Sequence, residues 1–266
     1  MCDILSTGPV LWYETGMIPV RPVMLFLAAQ LLWLPLARAD EDTVLPDAEP
    51  VSEQTVQRPA DILAAESRVL LSACILQGSC PDEQTPIEAA KLASRALGLE
   101  DGHVEARLQL AIALSMQARD MPLSEAREGR YAERMRALAE GVLEDDPDNA
   151  WAHGFMAVWH VEVRRRGGVF GAAFMGASLN AAEKHFEAIT RTAPDNLILK
   201  WQYARALAGL DAERFDDEIK LILTDILDRT PKDDLEICAQ ERATLVLQNL
   251  GRKDYASVEQ LASRLM

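Results

Sequence analysis

Residues 189–205 read ITRTAPDNLILKWQYAR and join two helical patterns through a proline turn. Pro194 has no backbone N–H to donate, so it ends the helix that precedes it. The Asp and Asn that follow are residue types that cap the start of a helix. The stretch therefore predicts two helices connected by a tight turn.

Turns of this kind recur along the chain. If Asp101, Pro147, Pro194 and Pro231 are equivalent points, the steps between them are 46, 47 and 37 residues. Between the turns, apolar residues recur at helical intervals and almost no segment alternates as a strand would. Steps of this length indicate stacked hairpins, so we predict an all-α fold of about five antiparallel helical hairpins over residues 59–266.

The second helix of one predicted hairpin carries Ala182 and Phe186, and Pro194 follows it. With these residues at spacings of four and eight, the segment resembles a tetratricopeptide repeat, in which small and aromatic residues lie where two helices cross and a proline closes the unit. The resemblance covers about residues 85–266. It implies a right-handed array whose concave face binds a protein or peptide.

Two adjoining segments, WHVEVRRRGGVFGAAFMGAS at residues 159–178 and NAAEKHFEAITRTAPDN at residues 180–196, also resemble exported bacterial proteins of the tetratricopeptide type. They are more distantly similar to the helical T component of periplasmic TRAP transporters. This similarity implies an insert beside a pocket that accepts apolar ligands. The positions that carry the implication are Trp159, His160, Gly171 and Ser178.

The glycine-rich residues 164–178, RRRGGVFGAAFMGAS, invite comparison with the phosphate-binding pattern G-x-x-x-x-G-K-[ST]. That pattern needs a lysine where this chain has Ala177, and a strand before it where this chain has a helical pattern. We therefore exclude a nucleotide site. Instead, we expect Gly167 and Gly168 to end a long helix, an apolar insert to follow, and Ser178 to start the next helix.

The insert presents four large apolar side chains on a backbone rich in Gly and Ala. They are Val169, Phe170, Phe174 and Met175. Exposed to water, they would form an apolar patch that promotes aggregation, so we expect neighbouring helices to cover them. We expect Gly171 and Gly176 to let the insert lie close against neighbouring backbones.

Aromatic residues form a stripe on the helix before the insert, since Trp151, Phe155 and Trp159 lie at positions i, i+4 and i+8. The stripe is either part of the core or, with the insert, the wall of a pocket for an apolar or amphipathic ligand. Four basic residues would supply positive charge at the mouth, unless they form a solvated face in which Glu162 pairs with Arg166. They are His160, Arg164, Arg165 and Arg166.

The balance of charge is strongly acidic, with 27 Lys and Arg against 42 Asp and Glu and a net charge of −15. Such a surface repels phosphate backbones, so we expect no nucleic-acid partner. The four histidines form no H-E-x-x-H motif, and no Cys and His cluster has zinc spacing. We therefore expect neither catalysis nor a cofactor or metal.

The N-terminal segment differs in kind from the rest. The apolar run at residues 22–36 follows Arg21 and precedes an A-x-A exit at residues 37–39. This order is typical of a secretory signal peptide, here residues 1–39 with Met17 as an alternative start. A retained anchor is the alternative to cleavage, although the run is shorter than the ~20 residues of a spanning helix.

The acidic and proline-containing residues 40–58 have little to bury, so we expect a disordered linker. Export permits a disulfide, and Cys74 and Cys80 flank Gly78, which could turn the chain back. We expect these two cysteines to be joined and Cys238 to be free, with three free thiols as the alternative.

These observations predict a non-enzymatic binding protein of the bacterial cell envelope, with a periplasmic mature form that does not span the membrane. Its first expected role is a scaffold that binds an envelope protein or peptide. The alternative role is a carrier of a small apolar or anionic ligand that serves a transporter.

Overall fold

Helices form between the turns that the sequence marks, in a computed structural model that describes residues 58–78, 80 and 82–265. The described residues contain eleven helices and no strand. The helices are α1 (Pro59–Gln77), α2 (Gln84–Leu99), α3 (Val104–Arg119), α4 (Leu123–Glu128), α5 (Tyr131–Asp145), α6 (Ala150–Met175), α7 (Leu179–Thr192), α8 (Leu197–Asp211), α9 (Asp216–Leu227), α10 (Asp234–Gly251) and α11 (Tyr255–Arg264). The predicted signal peptide, and the predicted linker up to residue 57, lie outside the described residues.

The predicted turns begin new helices because a polar side chain caps each one. Asn149 accepts a hydrogen bond from the backbone N–H three residues on at 3.0 Å, Asn196 does the same at 3.0 Å, and Asp233 at 2.9 Å. Each cap satisfies a backbone donor that has no partner inside the helix. Each lies two residues after one of the predicted proline turns, so the local pattern positions these helix starts correctly.

The helices pack largely in chain order. Helix α2 contacts α1 and α3, α5 contacts α3 and α6, and α6 contacts α7 and α8. Helix α8 also contacts α9, α10 and α11, which makes it the most enclosed helix of the C-terminal half. Helix α1 contacts α10, and the Arg242 guanidinium donates a hydrogen bond to the carbonyl oxygen of Ile75. Helix α1 therefore contacts α10, a helix near the C-terminal end of the described residues.

The largest core cluster surrounds α8, where Trp201 and Leu207 are fully buried. Ala182 is fully buried on α7, and Phe186 stacks on Tyr203 with ring centroids 4.3 Å apart. At these two positions the small residue lies inside the core and the aromatic ring packs beside it. Pro194 is exposed in the turn between α7 and α8.

Helix α6 closely approaches α8 at Gly154. A Cβ atom placed there would lie 2.5 Å from Cδ2 of Leu199 on α8. Only glycine fits that contact without displacing the leucine. In the part of the chain that the structure describes, no helix is both long enough and apolar enough to cross a bilayer.

Candidate functional site

A cavity of about 680 Å³ lies between α3, α5, α6 and α8. Residues of α1, α4 and α11 complete its wall. Most of the wall is apolar, and its charged side chains come from α3, α6 and α8, with Arg127 on α4 and Glu133 on α5. This volume is in the range of small-molecule sites, about 300–1,000 Å³.

The aromatic stripe of α6 lies on this cavity. Trp151, Phe155 and Trp159 all line it. Trp159 is buried, and its indole N–H donates a hydrogen bond of 2.9 Å to the carbonyl oxygen of Ala132 on α5. Trp151 is 45% exposed, so it lies at the rim. The stripe therefore belongs both to the cavity wall and to the core, because Trp159 also packs into a core cluster with Met156 and Ala172.

The apolar insert is a short helical segment that departs from the expected burial. Gly168 adopts φ 64° and ψ −166°, so α6 kinks there before continuing over residues 169–175. The kink directs Ala172 toward α5 and leaves most large side chains on the outside, which corrects the expectation that all four would be covered. The exposed fractions are 60% for Val169, 91% for Phe170 and 87% for Phe174.

Two of the insert's large side chains still reach the cavity wall. Phe174 and Met175 line it, whereas Phe170 does not. Phe170 is therefore not part of the site that the sequence predicts. As expected, Ser178 starts the next helix, since its Oγ accepts a hydrogen bond of 3.1 Å from the N–H of Ala181.

Neither Gly171 nor Gly176 lies close against a neighbouring backbone, contrary to the prediction, although a Cβ at Gly176 would lie 3.3 Å from the side-chain Nη1 of Arg136. A Cβ at Gly171 would meet nothing within 4 Å. Gly176 has φ 69°, a left-handed conformation at the C-terminal cap of α6 that costs other residues energy. The close approach occurs instead at Gly154, which the sequence analysis missed because a single glycine inside a helical pattern gives no sign of its neighbour.

The three consecutive arginines have separate roles. Arg165 lines the cavity and forms an ion pair of 2.7 Å with Glu162. Arg166 also lines the cavity, but its guanidinium donates hydrogen bonds of 2.6 and 2.7 Å to the carbonyl oxygens of Ala118 and Met121. Arg164 is half-buried and does not line the cavity, so the prediction that places it there is wrong. The predicted pairing of Glu162 with Arg166 is replaced by the pairing with Arg165.

A partly buried charged cluster on the cavity wall has no counterpart among the predictions from sequence. Glu162 on α6 lies 3.6 Å from Arg205 on α8, in addition to Arg165. Burial opposes the charge of Glu162, but the arginines Arg205, Arg165 and Arg119 outweigh it and lower the pKa of that carboxyl group. Burial and the nearby Arg205 lower the pKa of Arg119 to about 10. The cluster brings together residues from three helices.

His160 is buried away from the cavity, which corrects its expected place at the mouth. Its ring stacks on His185 at 5.6 Å, and its Nδ1 lies 3.4 Å from the backbone N–H of Ser178. Burial, and then the charge of Arg136, lower the pKa of His160 to about 4. His160 therefore supports the start of α7 as a neutral side chain.

A second histidine pair lies beside it. His153 Nδ1 is 2.8 Å from His185 Nδ1, and His153 Nε2 is 2.9 Å from the carbonyl oxygen of Pro147. Because a carbonyl oxygen only accepts, Nε2 of His153 carries a proton, and a single proton lies between the two Nδ1 atoms. Burial, followed by the charges of His153 and His160, lowers the pKa of His185 to about 4.

The cysteines lie away from the cavity. The structure joins Cys74 to Cys80 by a disulfide bond. Cys238 is disulfide-bonded as well, and none of the described cysteines is free, so the expected free thiol at Cys238 is wrong. No group of three or more His, Cys, Asp or Glu side chains within the described ranges is arranged to hold a metal ion.

The cavity therefore combines an aromatic wall with a cluster of partly buried charge, and this combination is the basis for a function. Comparison of the chain with protein families, with curated proteins and with solved structures finds no match.

Proposed function

We propose that the protein is a non-enzymatic binding protein that carries a small ligand in its central cavity. The observation that carries the proposal is the cavity itself, with its volume of about 680 Å³ and its largely apolar wall. Protein interiors are close-packed, and voids larger than a water molecule are few. A space of this size, lined by Trp151, Phe155 and Trp159, is therefore better explained by a ligand than by imperfect packing.

The proposal includes export to the periplasm with removal of residues 1–39. The apolar run with its A-x-A exit supports it. The disulfide between Cys74 and Cys80 also supports it, because such bonds persist in oxidising compartments and are rare in the cytosol.

We also propose that the helices form five hairpins stacked as in tetratricopeptide repeats, with the T component of TRAP transporters as a more distant analogue. Contacts within the pairs α1–α2, α3–α5, α6–α7, α8–α9 and α10–α11 support this arrangement. So do the contacts of first helices with one another, as between α6 and α8. In such an array first helices line the inner surface, and α3, α6 and α8 supply most of the cavity wall. A carrier of this kind would serve a transporter.

Native mass spectrometry of gently purified protein tests the carrier role, because a bound small molecule adds a defined mass. We expect Gly171→Trp to reduce that bound fraction, since Gly171 lines the cavity and its Cβ position is open. Gly98→Trp is the matched control, because Gly98 is equally open but lies away from the cavity. Absence of any added mass in the parent protein, or an equal loss in both variants, would contradict the proposal.

A protein scaffold is the second candidate function, favoured by the exposed side chains of Val169, Phe170 and Phe174. Apolar groups clustered on a surface mark interaction sites in many proteins. Affinity capture from the envelope should then recover one protein in stoichiometric amount. Loss of that protein with Phe170→Ser, while the ligand mass is retained, would support the scaffold role separately from the carrier role.

A further inference from the structure

The charged cluster of the cavity has an excess of positive charge. Arg119, Arg165 and Arg205 surround the single carboxylate of Glu162. Among the described residues, no carboxylate lies within ion-pair distance of Arg119, whose guanidinium donates a hydrogen bond of 2.7 Å to the carbonyl oxygen of Leu265. The carboxylate of Asp120 also acts on Arg119 by its charge, so three cations face two anions and one positive charge is in excess, in a protein whose net charge is −15.

The remaining polar contacts do not cancel this excess. Arg205 is buried and donates to the side-chain oxygen of Gln202 at 2.9 Å and to the carbonyl oxygen of Ala262 at 3.2 Å. Glu133 is the other acid on the cavity wall, and it lies 3.8 Å from Arg130 on its own side of the cavity. Burying uncompensated charge is unfavourable, so an anion at this place would stabilise the folded protein.

The apolar and the charged parts of the cavity are separated along the helices. On the part of α6 before the kink at Gly168, the lining residues from Trp151 to Arg165 span a rise of about 21 Å. The aromatic residues of this part come before Arg165 and Arg166, and beyond the kink Phe174 and Met175 also line the cavity. The same order holds on α8, where Leu199 precedes Arg205, and on α3, where Met116 precedes Arg119. All three helices thus present apolar residues earlier and arginine later.

We propose that the ligand is a long-chain anionic amphiphile, with its carboxylate head between Arg119 and Arg205 and its alkyl chain along Trp151 and Phe155. This assignment rests on the proposed carrier function. It adds the chemical class of the ligand and its orientation in the cavity. An apolar ligand without charge would leave the arginines uncompensated. A small hydrophilic anion would leave the aromatic wall in contact with water.

A carboxylate matches these arginines by geometry as well as by charge. The planar guanidinium presents parallel N–H donors that fit the two oxygens of a carboxylate. The buried setting strengthens such hydrogen bonds because little water competes for them. A positively charged head would be repelled at the same place, so the cavity distinguishes amphiphiles by the sign of the head.

The test compares three probes that share a tail and differ in the head: hexadecanoate, hexadecanol and hexadecyltrimethylammonium. Binding to the full chain, freed of co-purified ligand, is measured by the fluorescence of its tryptophans, two of which line the cavity. We expect hexadecanoate to bind at least about tenfold more tightly than hexadecanol, because its head gains charged hydrogen bonds. The cationic probe should bind most weakly. Equal affinity for all three would overturn the assignment.

Two matched variants test where the carboxylate head of the ligand binds. Arg119→Met keeps the length of the side chain and removes the charge, so hexadecanoate should bind about tenfold more weakly while hexadecanol is unaffected. Arg164→Met is the control, because Arg164 lies on α6 but not on the cavity, and it should leave both affinities unchanged. An equal loss in both variants would overturn the position of the head. If Arg119→Met does not fold, the three-probe comparison on the parent protein decides.

The outcomes also separate this assignment from the carrier function. If no probe binds but native mass spectrometry shows a co-purified small molecule, the anionic amphiphile is wrong and the carrier function stands. If no probe binds and no small molecule co-purifies, both are wrong.

Discussion

Replacing Gly154 by alanine tests whether its close contact with Leu199 of α8 limits stability. The added Cβ would lie 2.5 Å from Cδ2 of Leu199, well inside van der Waals contact. Leu199 is itself buried, although its side chain also borders the cavity. Relief of the clash must come from a rotamer change of Leu199 or a small shift of one helix.

Two opposing effects set the magnitude. Alanine is favoured over glycine inside a helix by about 1 kcal/mol. An extra methyl group in a packed core costs about 1–3 kcal/mol. We therefore expect Gly154→Ala to lower the free energy of unfolding by about 1 kcal/mol, since the middle of the packing cost exceeds the helical gain. In a domain of this size that change lowers Tm by about 2–4 °C.

Thermal unfolding followed by circular dichroism measures the effect. Gly209→Ala is the control, because its Cβ would lie 3.8 Å from Ala262 and Arg165, an ordinary contact, so only the helical gain remains. On a Leu199→Ala background, Gly154→Ala should become stabilising, since the clashing atom is gone. The reasoning would be refuted if Gly154→Ala stabilised the parent protein or had the same effect on both backgrounds.

Three further predictions follow from local geometry and charge. Burial lowers the pKa of His160 and His185 to about 4, below about 6.5 in the unfolded chain. The unfolded chain therefore binds protons first as pH falls, and Tm should be lower at pH 5 than at pH 7.5; an unchanged Tm would contradict this. Gly176→Ala should lower Tm by a few degrees, because alanine at φ 69° costs about 1 kcal/mol, and an unchanged Tm would show that the cap adapts. Replacing Cys74 and Cys80 by serine should cost about 2 kcal/mol or less, measured by urea unfolding, because the closed loop is short; a much larger loss would exclude the loop-entropy account.

The helices and their starts follow from local sequence signals. Proline ends a helix because it lacks a donor, and Asn149 or Asn196 starts the next by capping it, so neighbours in the chain are enough to position these turns. The aromatic stripe was also predictable, because a spacing of four places Trp151 and Phe155 on one face of a helix. These features need no knowledge of the packing between helices.

The charged end of the cavity was not predictable in this way. Arg119, Glu162 and Arg205 belong to three helices, and only the packing of α3, α6 and α8 brings them together. The prediction that the apolar insert would be buried was wrong for a different reason. Apolar character predicts burial on average, but the conformation of Gly168 decides which side of the segment faces the core, and it leaves Phe170 outside.

The contact between α1 and α10 has a consequence for how the protein unfolds. Open repeat arrays behave as one-dimensional chains, in which terminal units fray and the middle persists. Here Arg242 binds the carbonyl oxygen of Ile75, and Arg119 binds that of Leu265, so both terminal regions are tied to distant helices. Amide hydrogen exchange in α1 should therefore be as slow as in the interior, and the domain should melt in one cooperative transition instead of losing helices from its ends.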